Sequence, residues 1–248
     1  MSDLKRFILV HGAGHGSWCW QELIPYLEEL GHSVLAVDLP GRQGKGQPGW
    51  PLSLQDYVDD LAARVDQERG KVVLVGHSLG GMSISAVAEK LPHKIERLIY
   101  LTAWVSPKGK SLAQLAQNNQ GSKLHIATSM SWLKGVVTIK AQGFKECFCA
   151  DCSDDGAAWA YSKLVPESLR TALGRVHLTQ ERFGSVPTSY VRCANDQALT
   201  LALQQQMLES IGCKDVYTLP SSHSAFLSMP KQLAQVLHAA ATGAGSNK

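Results

Sequence analysis

The segment Gly76-His77-Ser78-Leu79-Gly80 lies between the apolar run Lys71-Val72-Val73-Leu74-Val75 and the helix-rich stretch Gly81–Lys90. A buried strand must therefore turn sharply into a helix with a serine at the apex. The glycines are a steric requirement. On so tight a turn, a Cβ two positions from the serine would collide with the neighbouring strand or helix. This is the pattern of a nucleophile elbow, which exposes a serine hydroxyl at the end of a sheet. The plainer reading is a glycine-rich turn with a capping serine, and the flanking strand and helix argue against it.

An elbow of this kind asks for a parallel βα layer, and the rest of the chain supplies one. Strands are expected at Arg6–Val10, Ser33–Val37, Lys71–Val75, Ile95–Leu101, Thr188–Cys193 and Asp215–Leu219. Helices are expected at Cys19–Leu30, Leu54–Gln67, Gly80–Lys90, Leu199–Ile211 and Lys231–Ala241. The alternation predicts an α/β fold with a mostly parallel six-stranded sheet and helices on both faces. It breaks between Val105 and Val186, a helix-prone stretch holding Trp132, Phe144, Phe148, Trp159 and Tyr161. We read residues 105–186 as an inserted helical cap over the sheet's C-terminal edge, where open α/β folds bind ligands. Residues 1–104 and 187–242 then form the core, and the small, polar tail 243–248 is expected to be disordered.

Composition narrows the function. A chain of 248 residues is enough for one domain with a sizeable core. The net charge of +3, with both signs interspersed, gives no basic tract for nucleic acid or an anionic membrane. No apolar run is long enough to span a bilayer, and Phe7–Val10 is too short for a signal-peptide core. The six cysteines are Cys19, Cys147, Cys149, Cys152, Cys193 and Cys213. They are expected as free thiols in a reducing cytoplasm. The cluster Cys147, Cys149 and Cys152 has no second cysteine or histidine pair near it in sequence, so no metal is expected.

A serine hydroxyl needs a histidine to take its proton and an acid to hold that histidine. An elbow predicts the chain order serine, acid, histidine. Two late strand ends carry the candidates, Asp196 after Ser189–Cys193 and His223 after Val216–Leu219. The other histidines lose on position. His11 ends the first strand and orders its loop, and His77 points away if Ser78 points inward. Asp151, Asp154 and Asp155 form an acidic cap turn whose default role is solvation. After the fourth strand the chain reads Thr102-Ala103-Trp104, so no carboxylate is available there. An acyl-transfer intermediate also needs two backbone N–H donors. Leu79 at the start of the elbow helix and Ala13 in the loop His11–Gly16 are the candidates. That loop lacks G-x-G-x-x-G and a Lys-Ser/Thr pair, so it is not read as a phosphate cradle.

With these residues in place, the chain resembles an α/β-hydrolase. More narrowly, it resembles the plant methylesterase and hydroxynitrile lyase family and its bacterial esterase relatives. The resemblance runs through Phe7–Trp20, Leu30–Leu39, Val75–Met82, Val186-Pro187, Asp196, Gln204–Met207 and His223. In that family the cyanohydrin lyases carry threonine after the first-strand histidine, lysine after the catalytic histidine, and a Glu-Ser-Cys elbow. Here those positions hold Gly12, Ser224 and His77-Ser78-Leu79. All three departures favour ester hydrolysis. Asp38–Arg42 is closer to the wider bacterial hydrolases, so plant hormone esters are not carried over.

The expected activity is serine-dependent hydrolysis of a small to medium carboxylic ester through an acyl-enzyme, without a cofactor. The rivals are a carbon–carbon hydrolase or a hydroxynitrile-lyase-like enzyme on the same triad, and a ligand receptor with a vestigial triad. Gly12, Trp104 and Trp132 are the expected pocket residues, with Trp159 behind them. The only partner expected is the small-molecule ester, and the sequence leaves room for a homodimer.

Overall fold

The computed structural model describes residues 4–42, 52–106 and 108–243. Of the expected disordered tail, only Gly243 falls among them; it ends the last helix at φ +73°. Along the chain the core opens with β1 (Arg6–Val10), α1 (Ile24–Glu29), β2 (Ser33–Val37) and α2 (Leu54–Gln67). It continues with β3 (Val72–His77), α3 (Gly80–Lys90) and β4 (Ile95–Leu101). An insertion follows, holding α4 (Leu112–Ala116), α5 (Leu124–Ala127), β5 (Thr128–Ser131), β6 (Val136–Ile139), α6 (Phe144–Phe148), α7 (Asp154–Ser162), β7 (Glu167–Ser168) and α8 (Leu169–Leu173). The core resumes with β8 (Thr188–Cys193), α9 (Leu201–Ser210), β9 (Asp215–Leu219), α10 (Ala225–Ser228) and α11 (Pro230–Thr242).

The main sheet has six strands in the order β2-β1-β3-β4-β8-β9, and every pairing is parallel. Successive strand residues face opposite sides. Ile8, Val10, Leu74, Leu98 and Tyr190 pack with α2, α3 and α9, while Phe7, Leu9, Val73, Val75, Ile99 and Val191 pack with α1 and α11. Both faces are buried, which is why these strands read as continuous apolar runs. All the C-terminal strand ends therefore meet at one edge.

Several boundaries shift. The helix expected over Cys19–Leu30 divides into a 3₁₀ turn at Ser17–Trp20 and α1. Pro25 lies in the first turn of α1, where its missing N–H costs nothing; further into a helix it would break the ladder. β3 extends to His77 because Gly76 and His77 stay in register with Tyr100 and Leu101 of β4.

The cap is not wholly helical. Besides its helices it holds a three-stranded antiparallel sheet in the order β5-β6-β7. The β-branched run Val136-Val137-Thr138-Ile139 favours a strand. Gly135, at φ +63°, closes the turn into it with its N–H on the Trp132 carbonyl. Phe144, Phe148, Trp159 and Tyr161 pack into the cap's own apolar cluster.

Candidate active site

Ser78 sits at the elbow with φ +50°, in the left-handed region that side-chain-bearing residues rarely adopt. Its surroundings leave no room for relaxation. A Cβ on Gly76 would come within 2.9 Å of the Gly80 carbonyl group, and one on Gly80 within 2.7 Å of the Val10 carbonyl oxygen. The Ser78 carbonyl accepts from Gly81 N at 3.1 Å and Trp104 N at 3.0 Å, which ties the elbow to the end of β4.

The two late loops deliver the expected partners. His223 Nδ1 lies 2.6 Å from Asp196 Oδ2, and the two residues are 1% and 4% exposed. Asp196 Oδ1 accepts the N–H groups of Ala198 at 2.7 Å and Leu199 at 2.8 Å. A carboxylate so placed can only accept, so the His223 proton sits on Nδ1 and Nε2 is left as the basic nitrogen. Asn195 N bonds the Ser221 carbonyl at 3.0 Å and joins the two loops directly.

Ser78 and His223 line one cavity of about 290 Å³. Its core-side wall comes from the C-terminal strand ends: Ala13, Gly14 and His15 after β1, Ser78 and Leu79 after β3, Trp104 after β4, Leu199 after β8. The cap closes it with apolar side chains such as Leu112, Leu124, Met130, Ile139 and Phe148. Among the described residues, the backbone N–H groups of Ala13 and Leu79 make no hydrogen bond. Both candidate donors therefore stand unpaired beside Ser78.

Not every expected residue lands in the pocket. Trp132 does not line the cavity; it is 71% exposed at the β5–β6 hairpin turn, whose side chains face outward. Trp159 packs edge-on against Trp18, also away from the cavity. Gly12 is not part of the wall either. It packs behind the elbow, where a Cβ would approach Ser78 Cβ and His77 Nδ1 to 2.9 Å. Trp104 does line the cavity while also belonging to the main core.

Four supporting residues escape sequence reasoning. Thr102 Oγ1 donates to Asp196 Oδ2 at 2.5 Å. Asp151, expected to be solvated, instead accepts Ser222 N at 2.9 Å and the Ser222 hydroxyl, next to His223. His77, expected to turn away, borders the cavity and places Nε2 3.1 Å from the His223 carbonyl. Burial, with the nearby His223 behind it, holds the His77 pKa well below its ordinary range. The neutral ring therefore donates from Nε2. Glu167, buried on β7, borders the cavity and bonds Gly14 N at 3.0 Å. Thr102, Asp151 and Glu167 belong to no short motif, and His77 fills a variable position of the elbow, so their partners become visible only in the fold. His11 behaves as expected, ordering its loop through Gly12 O at 2.9 Å and Leu39 N at 3.2 Å.

Comparison with known proteins adds a second line of observation. The profile of the family described as "Alpha/beta hydrolase family" matches residues 7–236. Salicylic acid-binding protein 2 of Nicotiana tabacum is 32% identical over 253 residues, covering 94% of this chain and 95% of that protein. A pyrethroid hydrolase of Sphingobium wenxiniae is 29% identical over 239 residues, covering 93% and 85%. The crystal structure of an Arabidopsis methylesterase superposes with a TM-score of 0.83 at 25% identity, covering 97% of this chain and 100% of that one.

Proposed function

The chain belongs to the alpha/beta hydrolase family, and from that premise we propose that it hydrolyses carboxylic esters with Ser78 as nucleophile, His223 as base and Asp196 as the acid that orients it. One observation carries the reading: the buried His223–Asp196 pair and the strained Ser78 meet at a single apolar cavity. The similarity to a methylesterase and a pyrethroid hydrolase supports an ester as substrate.

Ser78 Oγ adds to the ester carbonyl carbon while its proton passes to His223 Nε2. Asp196 keeps the imidazole in the required tautomer and stabilises the imidazolium. The carbonyl π electrons move onto oxygen, where the Ala13 and Leu79 N–H groups receive the charge. Collapse expels the alcohol, which takes the proton from His223. Water, deprotonated by the same nitrogen, adds to the acyl carbon; the bond to Ser78 Oγ breaks, the acid leaves, and Oγ takes the proton back from His223. The apolar walls suit an apolar acyl or aryl group of small to medium size.

The residue after His223 speaks against cyanohydrin cleavage. Ser224 is buried and accepts the Cys149 thiol at 3.6 Å, so it places no cation near a leaving group. No described helix is long and apolar enough to cross a membrane. The six free cysteines support the reading of a reducing, cytoplasmic setting.

A panel of p-nitrophenyl esters graded by acyl length, with methyl esters of aryl acids alongside, tests the proposal. Multiple turnover is expected, and it separates an enzyme from a receptor, which would give at most one slow acylation. Ser78→Ala should lose about three orders of magnitude or more in kcat. A purified, folded variant retaining more than about a tenth of wild-type activity rules out a serine nucleophile.

A further inference from the structure

We infer that Glu167 is a positioning residue of the oxyanion hole: paired with Arg42, it locks the loop after β1 so that the Ala13 N–H faces the cavity. The inference rests on the ester-hydrolase reading above and assigns a cap residue to that chemistry.

The carbonyls of Gly12 to His15 and the Gly14 N–H are each held by a partner. The Gly12 carbonyl accepts from His11 Nδ1 at 2.9 Å and from His15 N at 3.3 Å. The Ala13 carbonyl accepts from His15 Nδ1 at 2.8 Å. Burial pushes the His15 pKa down to about 4, so the ring is neutral near pH 7 and Nδ1 carries its single proton toward that carbonyl. Gly14 N donates to Glu167 Oε2 at 3.0 Å, and the Gly14 carbonyl accepts from Val165 N at 3.0 Å. The His15 carbonyl accepts from Arg42 Nε at 2.6 Å. Among the described residues the Ala13 N–H, the one that catalysis needs, makes no hydrogen bond.

Gly14 has φ +72°, a conformation that glycine adopts without penalty but also leaves readily. Rotation of the Ala13–Gly14 peptide would move the Gly14 N–H off Glu167 and break the His15–Ala13 bond. Glu167 opposes that rotation from one side and Arg42 holds the His15 carbonyl from the other. The two are joined by an ion pair, with Glu167 4% and Arg42 2% exposed.

A buried ion pair is a weak way to gain stability, because desolvation offsets most of the attraction. An apolar pair could fill the same space. It could not accept a backbone N–H and hold a backbone carbonyl on successive residues. The division of labour on the carboxylate fits a positioning role. Oε2 serves the loop and Arg42, while Oε1 takes Tyr57 OH at 2.7 Å and Thr171 Oγ1 at 3.0 Å. Burial and then the Glu167 charge raise the Tyr57 pKa, so its hydroxyl stays a donor. Glu167 lies on β7 of the cap, and Gly14, Arg42 and Tyr57 lie in the core. Seating of the cap and formation of the oxyanion hole are thus one event.

The experiment compares two inhibitors in the purified full-length protein. An aryl trifluoromethyl ketone adds Ser78 and generates an oxyanion. The corresponding secondary alcohol fills the cavity without forming one. Wild type should prefer the ketone. Glu167→Gln, which keeps the shape and loses the charge, should reduce that ketone-to-alcohol preference by about tenfold or more, the scale of one oxyanion donor. Its kcat should fall in parallel, with KM within about twofold. Tyr57→Phe, which removes a donor to Oε1 and keeps the ring beside Arg42, should change the preference by less than about threefold. If Glu167→Gln does not fold, Arg42→Lys gives the same readout, since lysine keeps the charge but loses the Nε donor to His15. A folded Glu167→Gln or Arg42→Lys with the wild-type preference overturns the inference and leaves the ester reading intact. A wild-type enzyme that shows no preference for the ketone overturns the ester reading itself.

Discussion

Thr102 and His223 share one oxygen of Asp196: Thr102 Oγ1 donates to Oδ2 at 2.5 Å and His223 Nδ1 lies 2.6 Å from the same atom. Thr102 follows β4 at φ +35°, an uncommon conformation for a β-branched residue. Its N–H is fixed to the Val191 carbonyl at 2.9 Å, so the backbone is held there from β8. The strand end that carries no carboxylate thus steadies the carboxylate supplied by the next strand.

Thr102→Val keeps the shape and removes the donor. A hydrogen bond to a charged group contributes about 1.5–3 kcal/mol. Asp196 would keep two N–H donors on Oδ1, so the loss should fall at the lower end of that range. Ester kcat should drop about tenfold with KM little changed. Steady-state kinetics on a p-nitrophenyl ester checks this, and a kcat within about twofold of wild type makes Thr102 a spectator.

The core of the fold was legible because buried parallel strands carry dense apolar runs. β1, β2, β4, β8 and β9 have the bounds that the sequence predicts. The candidates Ser78, Asp196 and His223 could be picked out because each follows such a strand, in the order that an elbow demands. The cap was less so. Its helices and strands are short, four or five residues in most cases, and too brief to show a period. Trp132 illustrates the cost: an aromatic residue signals burial by composition alone, yet this one caps a hairpin. Glu167, Asp151 and Thr102 act through partners 153, 71 and 94 residues away, and no local pattern reports such pairings.

Ser78 also offers a test of stored strain. Its φ of +50° costs a side-chain-bearing residue about 1–2 kcal/mol. Ser78→Gly removes the Cβ and the strain, although glycine's larger unfolded-state entropy takes back part of the gain. The variant should be inactive and about 1 kcal/mol more stable than wild type. Ser78→Ala keeps the Cβ and should stay near wild-type stability. Urea denaturation of the two variants decides it; a lower midpoint for Ser78→Gly than for Ser78→Ala would show that the elbow holds no strain.

Trp104 and Trp132 should separate cleanly. Trp104 is buried in the main core and lines the cavity, so Trp104→Ala should lose about 3–5 kcal/mol of stability. It should also change the order of kcat/KM across acyl lengths, because the wall recedes. Trp132→Ala should change neither, since that ring is mostly in water. Melting temperature and the ester panel, measured on both variants, check the pair. An unchanged acyl order in Trp104→Ala would make that residue an anchor between cap and sheet only.

Acid should unfold this protein through its buried histidines. His11, His15 and His77 are all buried and neutral, and burial is the first cause of each depressed pKa. In the unfolded chain each returns to the ordinary value near 6.5. Below that pH the unfolded state binds more protons than the folded one, so stability falls as pH falls. For His15 the window runs from about 6.5 down to about 4, and below it the penalty stops growing. Within the window each such histidine contributes a slope approaching about 1.4 kcal/mol per pH unit. Above pH 7 these three residues should contribute no slope. His15→Phe removes one titrating ring and should flatten the profile between pH 6.5 and 4, the limits set by the ordinary and folded values, by about that amount per unit. Urea midpoints at half-unit pH steps measure it. A wild-type profile that is flat from pH 7 to 5 would show that the rings take up protons without unfolding.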